Sequence, residues 1–312
     1  MSLLSVIVPC FNEEAAIPFF YDAMKKLGDD FATKHPEVEF EYIFIDDGSK
    51  DKTASVIKKL REDDKRVHFV SFSRNFGKEA ALYAGFKKAA GDYVVCMDAD
   101  LQDPPELLSE MYTAVTEEGY DSAATRRVTR KGEPKIRSFF ARMFYKLMNR
   151  ISDIEFVDGA RDYRIMTRKM VDAILGLGEN NRFTKGIYSW VGFNTKWIEF
   201  ENVERIAGES KWSFFGLLRY SFEAILGFST APLSLVICFG FVVTVFAFIL
   251  IIFVVVKTLI YGDPTSGWPS MICIIVFLAG TQLLCTGIVG AYLGKTYLET
   301  KNRPIFITRE EE

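Results

Sequence analysis

Two carboxylates, Asp98 and Asp100, stand one residue apart at the end of an apolar run, Tyr93-Val94-Val95-Cys96-Met97. Paired hard-oxygen donors at a strand end suit a divalent cation, Mg2+ or Mn2+. Such ions keep open positions that substrate phosphates fill. The chemistry this predicts is activation of a diphosphate leaving group, and with it a nucleotide-activated substrate. An Asp-x-Asp triplet alone is also an ordinary solvated turn, so its neighbours decide.

Those carboxylates need a scaffold. Short apolar runs at 3–8, 42–45, 67–72, 93–97 and 122–124 alternate with charged amphipathic segments such as 51–64 and 78–90. This alternation predicts an α/β fold with a mostly parallel sheet covered by helices. Ligands of such sheets bind at the carboxyl ends of the strands. Asn12-Glu13-Glu14, Asp46-Asp47-Gly48-Ser49, Ser73-Arg74-Asn75 and Asp98-Ala99-Asp100 all fall there. Together these polar turns read as a nucleotide site. The first strand is followed by no G-x-G-x-x-G, and the chain has no G-x-x-x-x-G-K-[ST]. Phosphates must therefore be held by a metal and basic side chains instead of a glycine loop.

The near-neutral total, 38 Lys and Arg against 41 Asp and Glu, hides an asymmetry. Residues 224–256 and 264–294 contain no charge at all, and each stretch exceeds the roughly 20 apolar residues that cross a bilayer. The N-terminus has no basic leader and reads as a first strand. Cys10, Cys96, Cys238, Cys273 and Cys285 show no paired spacing, and His35 and His68 are the only histidines. A zinc site is excluded on that ground, and reduced thiols fit a cytosolic catalytic part. Residues 126–150 are strongly basic, with Glu133 the only acid. Ile136, Phe139, Phe140, Met143, Phe144, Leu147, Met148 and Ile151 recur there at helical spacing. This pattern predicts a helix in the membrane interface, with a sheet-packed helix as the alternative. With spans following, the basic patch is not expected to bind nucleic acid. The aromatic stretch 212–228 predicts a second juxtamembrane helix.

The expected division is a catalytic domain at 1–211, including an interfacial helix at about 134–151, then a juxtamembrane helix at 212–230. A first span at 231–257, an external loop at 258–268, a second span at 269–295 and a cytosolic tail at 296–312 follow. The loop carries no Lys or Arg, whereas Lys295, Lys301 and Arg303 follow the second span. The positive-inside bias then puts both termini in the cytoplasm of a multi-pass protein. Gly280, Gly287, Gly290 and Gly294 offer a small-residue face for self-association or for packing within the hairpin.

Val6-Ile7-Val8-Pro9 with Asn12-Glu13, Ile45-Asp46-Asp47-Gly48-Ser49, Ser73-Arg74-Asn75-Phe76-Gly77-Lys78 and Met97-Asp98-Ala99-Asp100-Leu101-Gln102-Asp103-Pro104-Pro105-Glu106 resemble family 2 glycosyltransferases. The likeness is to the polyprenyl-phosphate branch, which includes dolichyl-phosphate mannosyltransferase and bactoprenol glucosyltransferase. It continues through Ala160-Arg161-Asp162-Tyr163-Arg164 and Arg205-x-x-Gly208-x-Ser210-Lys211-Trp212, and so covers nearly the whole chain. The two spans and the tail with Arg303-Pro304 look like the bactoprenol members.

This resemblance implies a GT-A (Rossmann-like) fold and an inverting hexose transfer from a nucleotide sugar to a polyprenyl phosphate. It implies that Pro9, Asn12 and Glu13 line the nucleoside pocket, with Asp46 and Asp47 at the base and Arg74 and Lys78 near it. Asp98 and Asp100 would serve metal and diphosphate, with Gln102 beside them. Asp162 aligns with the family's acidic catalytic residue, but Gly159-Ala160-Arg161-Asp162 departs from the usual run and Asp158 competes for the role.

A lipid phosphate has a second pKa of about 6 and is largely dianionic at neutral pH, so its attack needs little general-base help. It needs cations instead. Arg205, Ser210 and Lys211, with Arg126 and Arg127, are the candidates for holding it. The resemblance favours UDP-glucose, with UDP-N-acetylglucosamine and GDP-mannose behind, in a bacterial plasma membrane. A separate flippase and a downstream glycosyltransferase are then expected partners. A processive polysaccharide synthase is excluded, because neither Gln102 nor Gln282 begins a Gln-x-x-Arg-Trp motif. An inactive membrane scaffold is the rival outside enzymes.

Overall fold

The computed structural model describes residues 1–128, 135–152, 154–201, 221, 224–261 and 267–312, without side-chain placement for 135–141, 251, 255, 258, 268–270, 272 and 273. Four strand–helix repeats open the chain: β1 (Ser2–Cys10), α1 (Ile17–Lys34), β2 (Val38–Asp46), α2 (Thr53–Asp63), β3 (Val67–Phe72), α3 (Lys78–Lys88), β4 (Tyr93–Cys96) and α4 (Leu108–Thr116). Next come β5 (Ser122–Arg127), α5 (Lys135–Ile151), β6 (Ala160–Thr167), α6 (Arg168–Leu175), α7 (Thr184–Trp190) and β7 (Thr195–Phe200). Two long helices, α8 (Ala231–Tyr261) and α9 (Trp268–Thr300), precede a last strand, β8 (Thr308–Glu311).

The eight strands among the described residues form one sheet in the order β7-β5-β6-β4-β1-β2-β3-β8. β1 pairs in parallel with both β2 and β4, and β2 with β3. The chain therefore winds outward from β1 in one direction and then restarts at β4 on its other side. The crevice at that reversal is where open α/β sheets bind ligands. Both faces of the sheet are apolar because helices cover both. Leu4, Val6 and Val8 of β1 pack with α1, α2 and α4 on one face. Ile7, Ile43 and Ile45 pack with α3, α6 and α7 on the other.

The second half of the sheet departs from the expected pattern. β6 enters antiparallel between β4 and β5, with Val95 opposite Ile165 and Ala124 opposite Arg164. The expected tail carries a further strand. α9 runs on to Thr300, and β8 adds an antiparallel edge strand to β3. Phe306 stacks on Phe72 with ring centroids 4.8 Å apart. Lys58, Arg61 and Lys88 pair with Glu310, Glu312 and Glu311, which neutralises the acidic end.

α8 and α9 are both long and apolar enough to cross a membrane. The expected amphipathic helix is present as α5, and its stripe divides. Met148 is buried, and Phe144, Tyr145 and Ile151 pack beside it against Phe156 and Phe183. Met143 and Leu147 are exposed. Part of the apolar face thus packs on the domain and part is exposed. The expected juxtamembrane helix lies largely outside the described residues.

Candidate active site

The strand-end loops of the first half brace one another. Asp46 is 2% exposed, and its carboxylate accepts hydrogen bonds from the Ser49 N–H (2.9 Å) and the Ser71 hydroxyl (2.8 Å). Asp47 is 3% exposed and accepts from the N–H groups of Phe76 (2.6 Å) and Gly77 (2.9 Å). Burial pushes the Asp47 carboxyl above its usual range, against the pull of those two amides. The two carboxylates therefore tie the end of β2 to β3 and to the loop after it. Gly48 makes this approach possible. It has φ +65°, and a Cβ there would sit 2.4 Å from the Arg74 carbonyl carbon.

Asn12 has φ +53° and closes the same wall. Its N–H donates to the Ser49 hydroxyl, and its side-chain oxygen accepts from the Lys50 N–H, both at 2.9 Å. The Glu13 N–H donates to the Thr53 hydroxyl, also at 2.9 Å. Pro9, half-buried, lies opposite Ile45 at the end of β1. Exposed Arg74 folds over the Phe76 ring at 4.0 Å.

At the reversal point, Asp98 and Asp100 follow β4, and a tight turn through Leu101 (φ +52°) sends the Gln102 N–H back to Asp100 at 3.2 Å. Lys78 sits between two carboxylates. Its ammonium is 2.7 Å from Asp98 and 2.5 Å from Asp162, at the centre of the site. Burial alone would lower the Lys78 pKa, but the charges of Asp162 and Asp98 outweigh it and hold the ammonium well above its ordinary value. Burial would likewise raise the Asp162 carboxyl, but Lys78 and Lys185 outweigh it and keep it well below the carboxylate range. Asp162, and not Asp158, is thus the acid that faces Asp98 across a shared lysine. Asp158 stands in the turn before Gly159, and Gly159 packs on the Arg127 carbonyl.

Several residues of the site carried no sequence assignment. Arg161 clamps Asp103, with Nε 2.9 Å from one carboxylate oxygen and Nη2 3.3 Å from the other. Asp103 is 1% exposed, so this pair fixes the segment after the Asp-x-Asp turn to β6. Lys185 donates to the Ala160 carbonyl at 2.9 Å and stands 4.0 Å from Asp162. Arg161 and Asp103 at least lie inside the quoted motif runs. Lys185 lies in Arg182-Phe183-Thr184-Lys185-Gly186, and only the fold reveals it.

Among the acceptor candidates, Arg126 and Arg127 end β5, and Arg126 is 3.7 Å from Glu199. Arg205, Ser210 and Lys211 lie outside the described residues.

Among the described residues no cluster of three or more His, Cys, Asp and Glu side chains is poised to hold a metal. Asp98 and Asp100 nevertheless form a hard-oxygen pair that suits Mg2+ or Mn2+ when a diphosphate and water complete the shell. The donor set fits such an ion.

The family model described as glycosyl transferase family 2 matches residues 5–175. A Bacillus subtilis (strain 168) chain named as a glycosyltransferase is 42% identical over 308 residues, covering 99% of this chain and 92% of that one. The bactoprenol glucosyl transferase of Shigella phage SfV is 40% identical over 309 residues, covering 99% of each. The SfII prophage-derived bactoprenol glucosyl transferase of Shigella flexneri is 40% identical over 307 residues, covering 98% and 97%.

Proposed function

The chain belongs to glycosyltransferase family 2, and on that premise we propose that it transfers glucose from UDP-glucose to a polyprenyl phosphate, with inversion, at a membrane surface. One observation carries this reading. The likeness to proteins named bactoprenol glucosyl transferases runs through both the sheet and the two apolar helices, at 40% identity over 99% of the chain.

In this mechanism a phosphate oxygen of the lipid attacks the anomeric carbon. The new C–O bond forms as the bond to the UDP oxygen breaks, and UDP departs with the electron pair. Asp98 and Asp100 would hold Mg2+ or Mn2+, which when bound would neutralise charge on the departing diphosphate. Gln102 and the Arg161–Asp103 pair hold the Asp-x-Asp turn in place. Pro9, Asn12 and Glu13 wall the nucleoside, and Arg74 stands at its mouth. The dianionic acceptor arrives ready to attack. Asp162 therefore orients Lys78 and Lys185 and stabilises positive charge on the sugar, and it does not need to take a proton.

Arg126, Arg127, Arg205, Ser210 and Lys211 attract the lipid phosphate from the membrane side. The same reading places both termini and the catalytic domain in the cytoplasm of a bacterial plasma membrane. It includes self-association through the glycine face of α9, a separate flippase and a downstream glycosyltransferase.

The test is to incubate membranes containing the protein with labelled UDP-glucose, UDP-N-acetylglucosamine and GDP-mannose in separate reactions. Label from UDP-glucose is expected in the lipid fraction, with UDP released. Absence of lipid label from every donor would overturn the reaction, and preference for another donor would overturn the sugar.

A further inference from the structure

Next to Asp162 lies a cavity that the donor site does not use. Its polar side is made by Arg161, Arg164 and Lys185, and its apolar side by Tyr145, Phe156 and Phe183. Arg161 is already matched by Asp103. Arg164 is not matched: it is 4% exposed, its Nε has no hydrogen-bond partner, and among the described residues no carboxylate pairs with it. Its guanidinium lies 4.3 Å from the Tyr188 ring and 5.3 Å from that of Trp197, and Nη1 donates to the Ser122 hydroxyl at 3.2 Å. Lys185 reaches the carboxylate of Asp162, which Lys78 already engages. Arg164 is therefore the buried cation of this corner that no carboxylate among the described residues meets at ion-pair distance. A buried cation without a counter-charge is costly, so the arrangement suits an anionic ligand that arrives.

The apolar side leads towards the root of α8. Phe156 and Phe183 are 6.0 Å apart, and Phe183 and Phe228 are 5.9 Å apart. Phe228 stands just before α8 and packs on Gly186, where a Cβ would fall 2.6 Å from its ring. The residue next to Lys185 is thus glycine because the root of the first apolar helix presses on it. The segment carrying Lys185 is held from two further directions. Glu79, beside Lys78, accepts from the Thr184 N–H at 2.7 Å. Glu299, at the end of α9, accepts from the N–H groups of Asn180 and Asn181 at 3.0 Å.

Building on the proposed lipid-phosphate transfer, we propose that Lys185, backed by Arg164, binds the phosphate of the polyprenyl acceptor in this cavity. The first isoprene units then lie along the Tyr145–Phe156–Phe183 wall. A phosphate monoester meets Lys185 and Arg164, and an apolar chain meets the aromatic side. No free anion uses both.

The test uses the full chain in detergent, with farnesyl phosphate as the lipid probe, inorganic phosphate as the free-anion control and Trp197 as the reporter. Farnesyl phosphate should change the tryptophan fluorescence of the native protein, and Trp197→Phe should abolish that signal. Lys185→Ala should weaken farnesyl phosphate binding about tenfold or more, as expected for loss of a charge-assisted contact. Lys185→Arg should keep most of the affinity, and UDP-glucose binding should change less than about twofold in both variants. Inorganic phosphate should bind far more weakly than farnesyl phosphate.

Unchanged farnesyl phosphate affinity in Lys185→Ala would overturn the assignment, as would an equal loss of UDP-glucose affinity. Inorganic phosphate binding as well as farnesyl phosphate would also overturn it, leaving only a general anion site. Failure of the reaction reads differently: the native protein would bind farnesyl phosphate through Lys185 yet put no labelled sugar into lipid.

Discussion

On the β1–β2–β3 side of Asp98, the site is built from turns that each follow a parallel strand, and its carboxylates are spent on holding those turns together. Asp46 and Asp47 are buried in such bonds. On the β6–β7 side, the strands are inserted out of order, the side chains are cationic and aromatic, and the supports come from the apolar helices. In the proposed reaction the first half would receive the water-soluble donor, and the second half, tied to α8 and α9, the membrane-borne acceptor. Lys78 joins the two through Asp98 and Asp162. The difference teaches that damage to one half should be readable in one substrate and not the other.

The largest effect should come where the two halves meet. Asp100→Ala should lower transfer about a thousandfold, since a bound cation contributes several kcal/mol to leaving-group stabilisation. The melting temperature should barely move, and excess EDTA should reproduce the loss in the native protein. Substantial activity with EDTA present would break the metal assignment.

Asp162→Asn should cost about a hundredfold, on the scale of a lost electrostatic contact in a water-poor site. Raising the pH should not rescue it. The folded pKa of Asp162 is depressed, so its stabilising contribution is present above the unfolded value of about 4 and is lost only as pH falls below that. No step from Asp162 is therefore expected between pH 5 and 8. Activity of the native protein should instead rise through about pH 6, as the acceptor phosphate becomes a dianion, and then level off. An acidic limb that disappears in Asp162→Asn would instead assign it proton abstraction.

A chain ending at Arg303 loses β8 and the Phe306–Phe72 stack. Its melting temperature should fall by about 5–10 °C, as expected for several kcal/mol of lost packing in a domain of this size. Smallest of all, Glu310→Ala removes an exposed pair with Lys58 and should shift the melting point by no more than about 2 °C.

The same contrast explains what the sequence could reveal. The donor loops were legible because each is local: an apolar strand ends, a polar turn follows, and the motif runs are continuous. The Asp-x-Asp pair, Asp162 and the two apolar helices were legible for the same reason. The pairing of Lys78 with Asp98 and Asp162 was not legible, because those partners lie 20 and 84 residues away. β6 and Lys185 depend on an antiparallel insertion that no local period encodes. β8 was hidden because Thr308-Arg309-Glu310-Glu311-Glu312 carries no apolar alternation. It becomes a strand only where Lys58, Arg61 and Lys88 meet its charge.

The most direct test of a donor half and a separately anchored acceptor half is a crossed measurement of both KM values. Glu299→Ala loosens the segment that carries Lys185, and ending the chain at Arg303 removes the strand beside the β3 loop. The first variant should raise KM for polyprenyl phosphate and leave that for UDP-glucose unchanged, and the second should do the reverse. If both constants rise together in both variants, the two halves are one cooperative unit and the account fails.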